Sequence, residues 1–584
     1  MGTLIEDQII TRWAHKVSPD SCLPKYPRPQ LKRNEWKNLN GTWTYAIKKK
    51  GKSRPKHFSK EILVPFPIES ALSGVAKKLN PRKKLWYKRT FVIPKDWKSK
   101  QIILHFGAVD WEATAWVNGK QVGRHRGGYT PFSFNISKYI TYSGENELVV
   151  GVWDPTNKTG VVRGKQTLRP WGIKYTSVSG IWQTVWLEPV FSTHIESIQL
   201  FPDIDQKSIE LKLNVKNPKQ DDTCRVTISD DETQIIEEII ALKEKYEFSI
   251  VNPKLWSPQH PHLYDLKIHL IRSGEIIDEV SSYFGMRKIQ LSSNKDEKRQ
   301  ISLNNKNIFQ FGVLDQGYWP DGLYTAPTDE ALKYDIEIAK ELGFNMIRKH
   351  VKVEPARWYY HCDQLGMLVW QDMPNGGGLG TLSFLKGFLK RNKKYNHNLK
   401  EYHKKQFYQE LREMINALFN HPSIIMWVPF NEGWGQFETK SVVNYTRDLD
   451  HTRLLNNASG WFDHEIGDIS DCHEYVGPAM PNKIKGRAPV CGEFGGLGLK
   501  INNHLWKKRI KFVYDKLSNS EELTQKYAEL ITKLKDFKQR GLTAGVYTQL
   551  TDVEGEINGL LTYDREIIKI KKEKLQEINK SVNL

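Results

Sequence analysis

Near residue 300 the spacing of apolar residues changes. Before it, apolar and polar residues alternate in short runs broken by turn formers; after it, stretches with apolar residues three and four apart take turns with brief all-apolar runs. A period of two belongs to half-buried strands and a period of 3.6 to helices with one face on a core. A chain of 584 residues written in both patterns folds as several domains, a β-rich front and an α/β back.

The front divides again. Residues 85–93, 101–106, 114–117, 147–153 and 182–187 read as strands of an all-β sandwich, a jelly roll, over residues 1–190. Asn118-Gly119 marks a hairpin there, because both central residues of a type I′ turn need positive φ. Over 191–290 the alternation in 208–215 and 263–270 predicts a smaller, immunoglobulin-like β-sandwich. In 291–584, Thr328-Asp329-Glu330 supplies a helix cap and first-turn acids, Leu332, Ile336, Ala339 and Leu342 follow at helical spacing, and Gly343 precedes a buried strand at 344–347. The unit recurs through strands at 368–370, 424–428, 454–455, 472–473, 490–491 and 545–550, with a long helix over 521–539. About eight such units fit a (β/α)8 TIM barrel, whose chemistry lies at the C-terminal ends of its strands. Residues 385–406, rich in Lys, Asn, His and Tyr, break the rhythm as a loop over the barrel mouth or a solvated insertion.

Several classes are excluded. Five cysteines, odd in number and far apart, make no CxxC pair, so neither a disulfide framework nor a structural zinc is expected, and no metal or other cofactor is predicted. No apolar window is long enough to span a membrane. The first 13 residues place Glu6, Asp7 and Gln8 within their apolar patch and show no signal peptide, so a soluble protein of a bacterial periplasm or cytoplasm is expected. The net charge of +20 would attract polyanions, but the basic runs are scattered and no nucleic-acid-binding module is visible; no nucleic-acid partner is expected, and a homo-oligomer stays open.

Two glutamates stand where barrel strands should end. Glu432 follows the apolar run at 424–428, in Pro429-Phe430-Asn431-Glu432-Gly433-Trp434; Glu493 follows Val490-Cys491-Gly492 and precedes Phe494-Gly495-Gly496. Glycoside cleavage uses such a pair, one carboxyl protonating the leaving oxygen while the other attacks the anomeric carbon or activates water. A close pair is expected to raise the pKa of one member, as a general acid at neutral pH requires.

Phe419-Asn420-His421-Pro422-Ser423 with the following strand and Asn431-Glu432, together with Val490-Cys491-Gly492-Glu493-Phe494-Gly495-Gly496, resemble the acid/base and nucleophile signatures of glycoside hydrolase family 2. So do Leu39-Asn40-Gly41-Thr42-Trp43, Trp116-Val117-Asn118-Gly119, Gly127-Gly128-Tyr129 and Ser179-Gly180-Ile181-Trp182 for its sugar-binding jelly roll, and Leu255-Trp256-Ser257-Pro258 and Phe284-Gly285-Met286-Arg287 for its middle domain. The resemblance implies a retaining mechanism with Glu432 as acid/base, Glu493 as nucleophile, Asn431 on the sugar 2-hydroxyl and Tyr475 donating to the nucleophile, with His473 in the same pocket. It implies further sugar contacts at Arg348 and His350 after the second strand. Asp315 and Asp372, at the ends of the first and third strands, are barrel-mouth carboxylates for sugar hydroxyls, with a salt bridge to Arg348 as the alternative. Trp434, Trp461 and Trp319 are candidates for an apolar sugar face. Residues 545–550 carry no tryptophan platform, and neither an Asn-x-Lys-Gly element nor the magnesium ligands of large β-galactosidases are found.

The expected activity is that of a retaining exo-β-glycosidase, β-galactosidase-like, acting on an oligosaccharide or glycoside. A glycosidase for uronic-acid or sulfated fragments, such as a β-glucuronidase, is the alternative that the charge suggests, and clustering of basic residues at the mouth would favour it. A non-catalytic carbohydrate-binding protein is the reading from another class.

Overall fold

The computed structural model describes residues 9–293, 299–376, 394–482, 485–506 and 513–583. Two sheets of the front sandwich enclose one core. The larger has six strands, including Gly41–Lys49, Lys83–Val92, Glu145–Trp153 and Glu112–Val117; the smaller has four, centred on Val185–Val190 and Gln101–Phe106. Leu85, Tyr87, Leu104, Phe106, Val117, Leu148 and Val150 fill the space between them. Asn118 and Gly119 join Glu112–Val117 to Lys120–Arg126 with φ of 47° and 80°, the two left-handed residues a type I′ hairpin demands.

The second sandwich packs a three-stranded sheet on a four-stranded one, with Ile195, Leu211, Val226, Ile268 and Val280 inside. Sheet membership changes between Val190 and His194, and again between Phe284 and Ile289, where a hairpin of Ile289–Ser293 and Arg299–Leu303 passes beneath the third domain.

The third domain is a barrel of eight parallel strands: β1 (Gln310–Asp315), β2 (Met346–Lys349), β3 (Leu368–Asp372), β4 (Ile424–Val428), β5 (Leu454–Leu455), β6 (Ile469–Glu474), β7 (Ala488–Gly495) and β8 (Ala544–Thr548). Their order is β5-β4-β3-β2-β1-β8-β7-β6, and at the seam between β5 and β6 the Asp468 N–H donates to the Leu455 carbonyl at 2.8 Å. Leu314, Met346, Trp370, Met426, Val490 and Val546 fill the interior, closed from below by Ile289, Ile301 and Leu303. The barrel is a packed core, so only its upper rim has room for a ligand.

Helices α1 (Asp329–Glu341), α2 (Ala356–Leu365), α3 (Glu401–Leu418), α4 (Thr439–Leu449), α5 (Ser520–Gln539) and α6 (Lys572–Asn583) surround it. Thr328 caps α1, its hydroxyl accepting from the Ala331 N–H at 3.1 Å. The rhythm of eight full units is not kept: residues 456–468, between β5 and β6, form no helix. Of the rhythm-breaking stretch, 385–393 lies outside the described residues, while its end opens α3. All five cysteines are free, and no helix among the described residues is long and apolar enough to cross a membrane.

Candidate active site

The ends of β2, β3, β4, β6 and β7 converge on one buried polar cluster. Glu432 lies just past β4, where its φ of 49° places a non-glycine residue in the left-handed region; such strain costs about 1–3 kcal/mol and persists only where surrounding contacts enforce it. The enforcing contacts are backbone bonds, Glu432 N–H to the Ser459 carbonyl at 2.9 Å and Trp434 N–H to the Asn431 carbonyl at 2.8 Å. Glu493 lies within β7, where the ladder with both neighbours shifts register and turns its carboxylate into the mouth.

Facing oxygens of Glu432 and Glu493 lie within 4.8 Å of each other and of a nitrogen of His473. The Tyr475 hydroxyl spans the two carboxylates, 2.7 Å from Glu493 Oε2 and 3.1 Å from Glu432 Oε1. Burial, followed by the charges of both glutamates, raises its pKa well above the usual phenol range, so it remains a donor. Tyr475 in turn stacks on Tyr514 at 4.0 Å between centroids.

The expectation that crowding raises the pKa of one glutamate is corrected by His473. Its Nδ1 lies 2.9 Å from Glu432 Oε1. Burial disfavours the imidazolium, but the charges of Glu493 and Glu432 and the bond to Glu432 outweigh it and push His473 up to about 9. Conversely, burial would raise Glu432, but the bond from His473 and its charge hold it below the usual carboxylate range. The pair therefore holds one proton, and holds it on the imidazole. Its other nitrogen lies 2.8 Å from the Ser459 hydroxyl, which donates to Asp471 Oδ2 at 2.5 Å; Asp471 Oδ1 takes the Gly492 N–H at 2.6 Å, beside Glu493. Asp471, Ser459 and Tyr514 carry no motif in the sequence. Asp471 alone left a signal, an acid two residues before His473 in a buried strand.

Arg348 holds the opposite wall. Its guanidinium grips Asp372 through two bonds of 3.0 and 2.9 Å and donates to Asn431 Oδ1 at 2.7 Å and Glu493 Oε1 at 3.2 Å. Asn431 Nδ2, also buried, has no hydrogen-bond partner among the described residues and is left for an external acceptor. His350 Nδ1 lies 3.1 Å from Asp372 Oδ2, and burial, then the charge of Lys165, drives its pKa well below the ordinary value, so it stays neutral. Asp372 thus positions Arg348 and His350.

Asp315 does not join this cluster. Its carboxylate faces the other side of the strand layer and pairs with Lys349 Nζ at 2.5 Å. Trp319 is likewise removed from the mouth: it is buried against Trp13, with the Arg565 guanidinium 3.9 Å from its ring centroid. Trp434 and Trp461 stay at the mouth, both partly exposed, Trp461 with its ring centroid 6.3 Å from that of His473. Glu432, His473 and Glu493 are close enough to share a cation, but the imidazole already donates to Glu432 and Arg348 adds a positive charge beside them. A cavity of about 410 Å3 between the sandwiches and α2 contains neither glutamate.

Models of one family match most of the chain. Glycosyl hydrolases family 2, sugar binding domain, matches residues 58–188; Glycosyl hydrolases family 2 matches 193–287; and Glycosyl hydrolases family 2, TIM barrel domain, matches 295–550. The chain belongs to glycosyl hydrolases family 2. It is 27% identical over 416 residues to a β-galactosidase of Thermoanaerobacter pseudethanolicus, an alignment covering 67% of this chain and 51% of that protein. It is 22% identical over 462 residues to a β-glucuronidase of Paenibacillus borealis, covering 74% of this chain and 73% of that one. The chain spans about half the length, or less, of several curated relatives it matches. In fold it resembles the β-D-glucuronidase of Dictyoglomus thermophilum, with a TM-score of 0.74 at 19% identity over 95% of this chain and 98% of that one.

Proposed function

We propose that this chain is a retaining exo-β-glycosidase. The observation that carries the proposal is the separation of the two glutamates: facing oxygens within 4.8 Å suit a carboxyl pair about 5–5.5 Å apart, the spacing of double displacement, and leave no room for the water an inverting enzyme places between them. Glu493, held by Arg348 and Tyr475, attacks the anomeric carbon as the glycosidic bond breaks. The leaving oxygen takes a proton from Glu432, supplied through the proton shared with His473. The glycosyl ester on Glu493 is then cleaved by water, whose proton returns to Glu432. Asn431 Nδ2 meets the sugar 2-hydroxyl as acceptor. That the front sandwich reaches across the rim favours a pocket for one terminal sugar.

The test is the stereochemistry of the first product. Proton NMR of a hydrolysing aryl β-glycoside should show the β-anomer before mutarotation, and a 2-deoxy-2-fluoro glycoside should add one sugar mass to the peptide containing Glu493. The α-anomer first, or label on another peptide, would refute double displacement here. No turnover across a panel of aryl glycosides would favour a non-catalytic carbohydrate-binding protein.

A further inference from the structure

Residues 155–187 contain no Asp or Glu but include Lys158, Arg163, Lys165, Arg169 and Lys174. Part of this run leaves the front sandwich and crosses the barrel rim. The Gly376 N–H, past β3, donates to the Arg163 carbonyl at 2.8 Å. Gly164 lies so close to the loop after β2 that a Cβ there would come within 2.5 Å of the Val351 carbonyl oxygen. The Thr176 N–H donates to Glu554 Oε1 at 2.7 Å, past β8, and Lys174 Nζ lies 3.3 Å from the ring centroid of Trp434, two residues after Glu432.

The segment thus brings buried Lys165 and partly buried Lys174 to the site, and neither makes an ion pair among the described residues, whereas the buried lysines of the barrel do: Lys349 with Asp315 and Glu354, Lys352 with Glu354, Lys569 with Asp552. Aromatic rings are their recorded neighbours, Tyr175 at 5.5 Å for Lys165 and Trp434 for Lys174. Burial, followed by the charges of Arg163 and Lys165, lowers the Lys174 pKa well below the ordinary amine value, and the acid that opposes this is Glu432 itself. Arg163 is partly compensated by buried Asp154. Glu432 is the acid that acts on both amines, opposing the shift of Lys174 and held low in part by Lys165; a buried ammonium without an ion-pair partner is costly, and an anion brought beside it relieves that cost.

We propose that Lys165 and Lys174 recognise a negatively charged group, a carboxylate or a sulfate, on the sugar bound at Glu432 and Glu493. The inference rests on the glycosidase reading and selects, within it, acidic sugars over galactose. At the mouth Lys165 and Lys174 stand with Arg163 and Arg348, although the basic runs in the sequence are scattered.

The experiment compares kcat/KM for 4-nitrophenyl β-D-glucuronide, β-D-galactoside and β-D-galactoside 6-sulfate in the wild type, Lys165→Met, Lys174→Met and Lys174→Arg. The wild type should prefer one anionic substrate, the glucuronide if a carboxylate is read and the sulfate ester if a sulfate is. Either Met variant should reduce the ratio of anionic to neutral kcat/KM on the order of 100-fold, mainly through KM, and Lys174→Arg should restore part of it. A wild type that prefers the neutral galactoside, or Met variants that lower all three substrates equally, would overturn the inference and leave the glycosidase reading standing. Titration of Glu493→Gln with the two anionic glycosides supplies the same test without turnover: binding that Lys174→Met leaves unweakened would also overturn it.

Discussion

Strand β2 carries two buried charge networks on its two sides. Arg348 and His350 point to the mouth, where they meet Asp372, Asn431 and Glu493; Lys349, between them, points outward to Asp315 and Glu354, which also takes Lys352 at 2.9 Å. The side chains of both networks are buried. In the outer one each ammonium has its carboxylate, although Glu354 Oε2 has no hydrogen-bond partner among the described residues, and a paired cluster of that kind holds β2 against the loop of 350–355. In the inner one Asn431 Nδ2 has no acceptor, two carboxylates stand within 4.8 Å, and Glu432 occupies a strained backbone position. Neighbouring residues, one position apart, therefore differ: the outer lysines are paired with carboxylates, and the inner network, in the proposed reading, keeps a donor free for a substrate.

Three substitutions break or sharpen this contrast. Glu493→Gln should lower kcat by about 10^4-fold or more while the melting temperature is kept, because the proposed nucleophile is lost and an isosteric amide remains; near wild-type turnover on aryl glycosides would remove the inner network from catalysis. Lys349→Met should do the reverse, costing about 3–5 kcal/mol in urea unfolding because Asp315 is left buried without its cation; an unchanged unfolding midpoint would show that the outer network does not hold the fold. His473→Gln should have the smallest effect at neutral pH and a clear one in alkali. His473 is raised to about 9, so the Glu432–His473 pair keeps its proton below that pH and loses it above, and kcat/KM should fall as pH rises through about 9. Without the imidazole the alkaline limb should move down by more than one pH unit, and a limb that stays in place would separate His473 from the acid.

The sequence allowed the change of period, the sandwich hairpin at Asn118-Gly119 and both glutamates to be read, because each depends on a few adjacent residues. Asp315 was misplaced for a physical reason. At a strand end, one residue of register decides which side of the layer a carboxylate faces, and nothing local in Gln310–Asp315 shows that Lys349 of the next strand will claim it. Ser459 became visible only through the loop after β5, and Asp471, although it stands two residues before His473, was tied to the site only by the pairing of β6 with β7. The missing helix between β5 and β6 escaped notice because a strand as short as Leu454–Leu455 gives no phase to the residues that follow. Lys165 and Lys174 were hidden by distance along the chain, more than 250 residues before Glu432.

The rim-crossing segment around Gly164 also bears on how such a chain could diversify. In the proposed reading the two carboxylates belong to the barrel and Lys165 and Lys174 to the front sandwich, so drift in one loop of that sandwich would change which sugar is accepted without disturbing the barrel. A graft of that loop between relatives would carry substrate preference with it, and an isolated barrel would keep its carboxylates yet lose the wall that chooses among sugars.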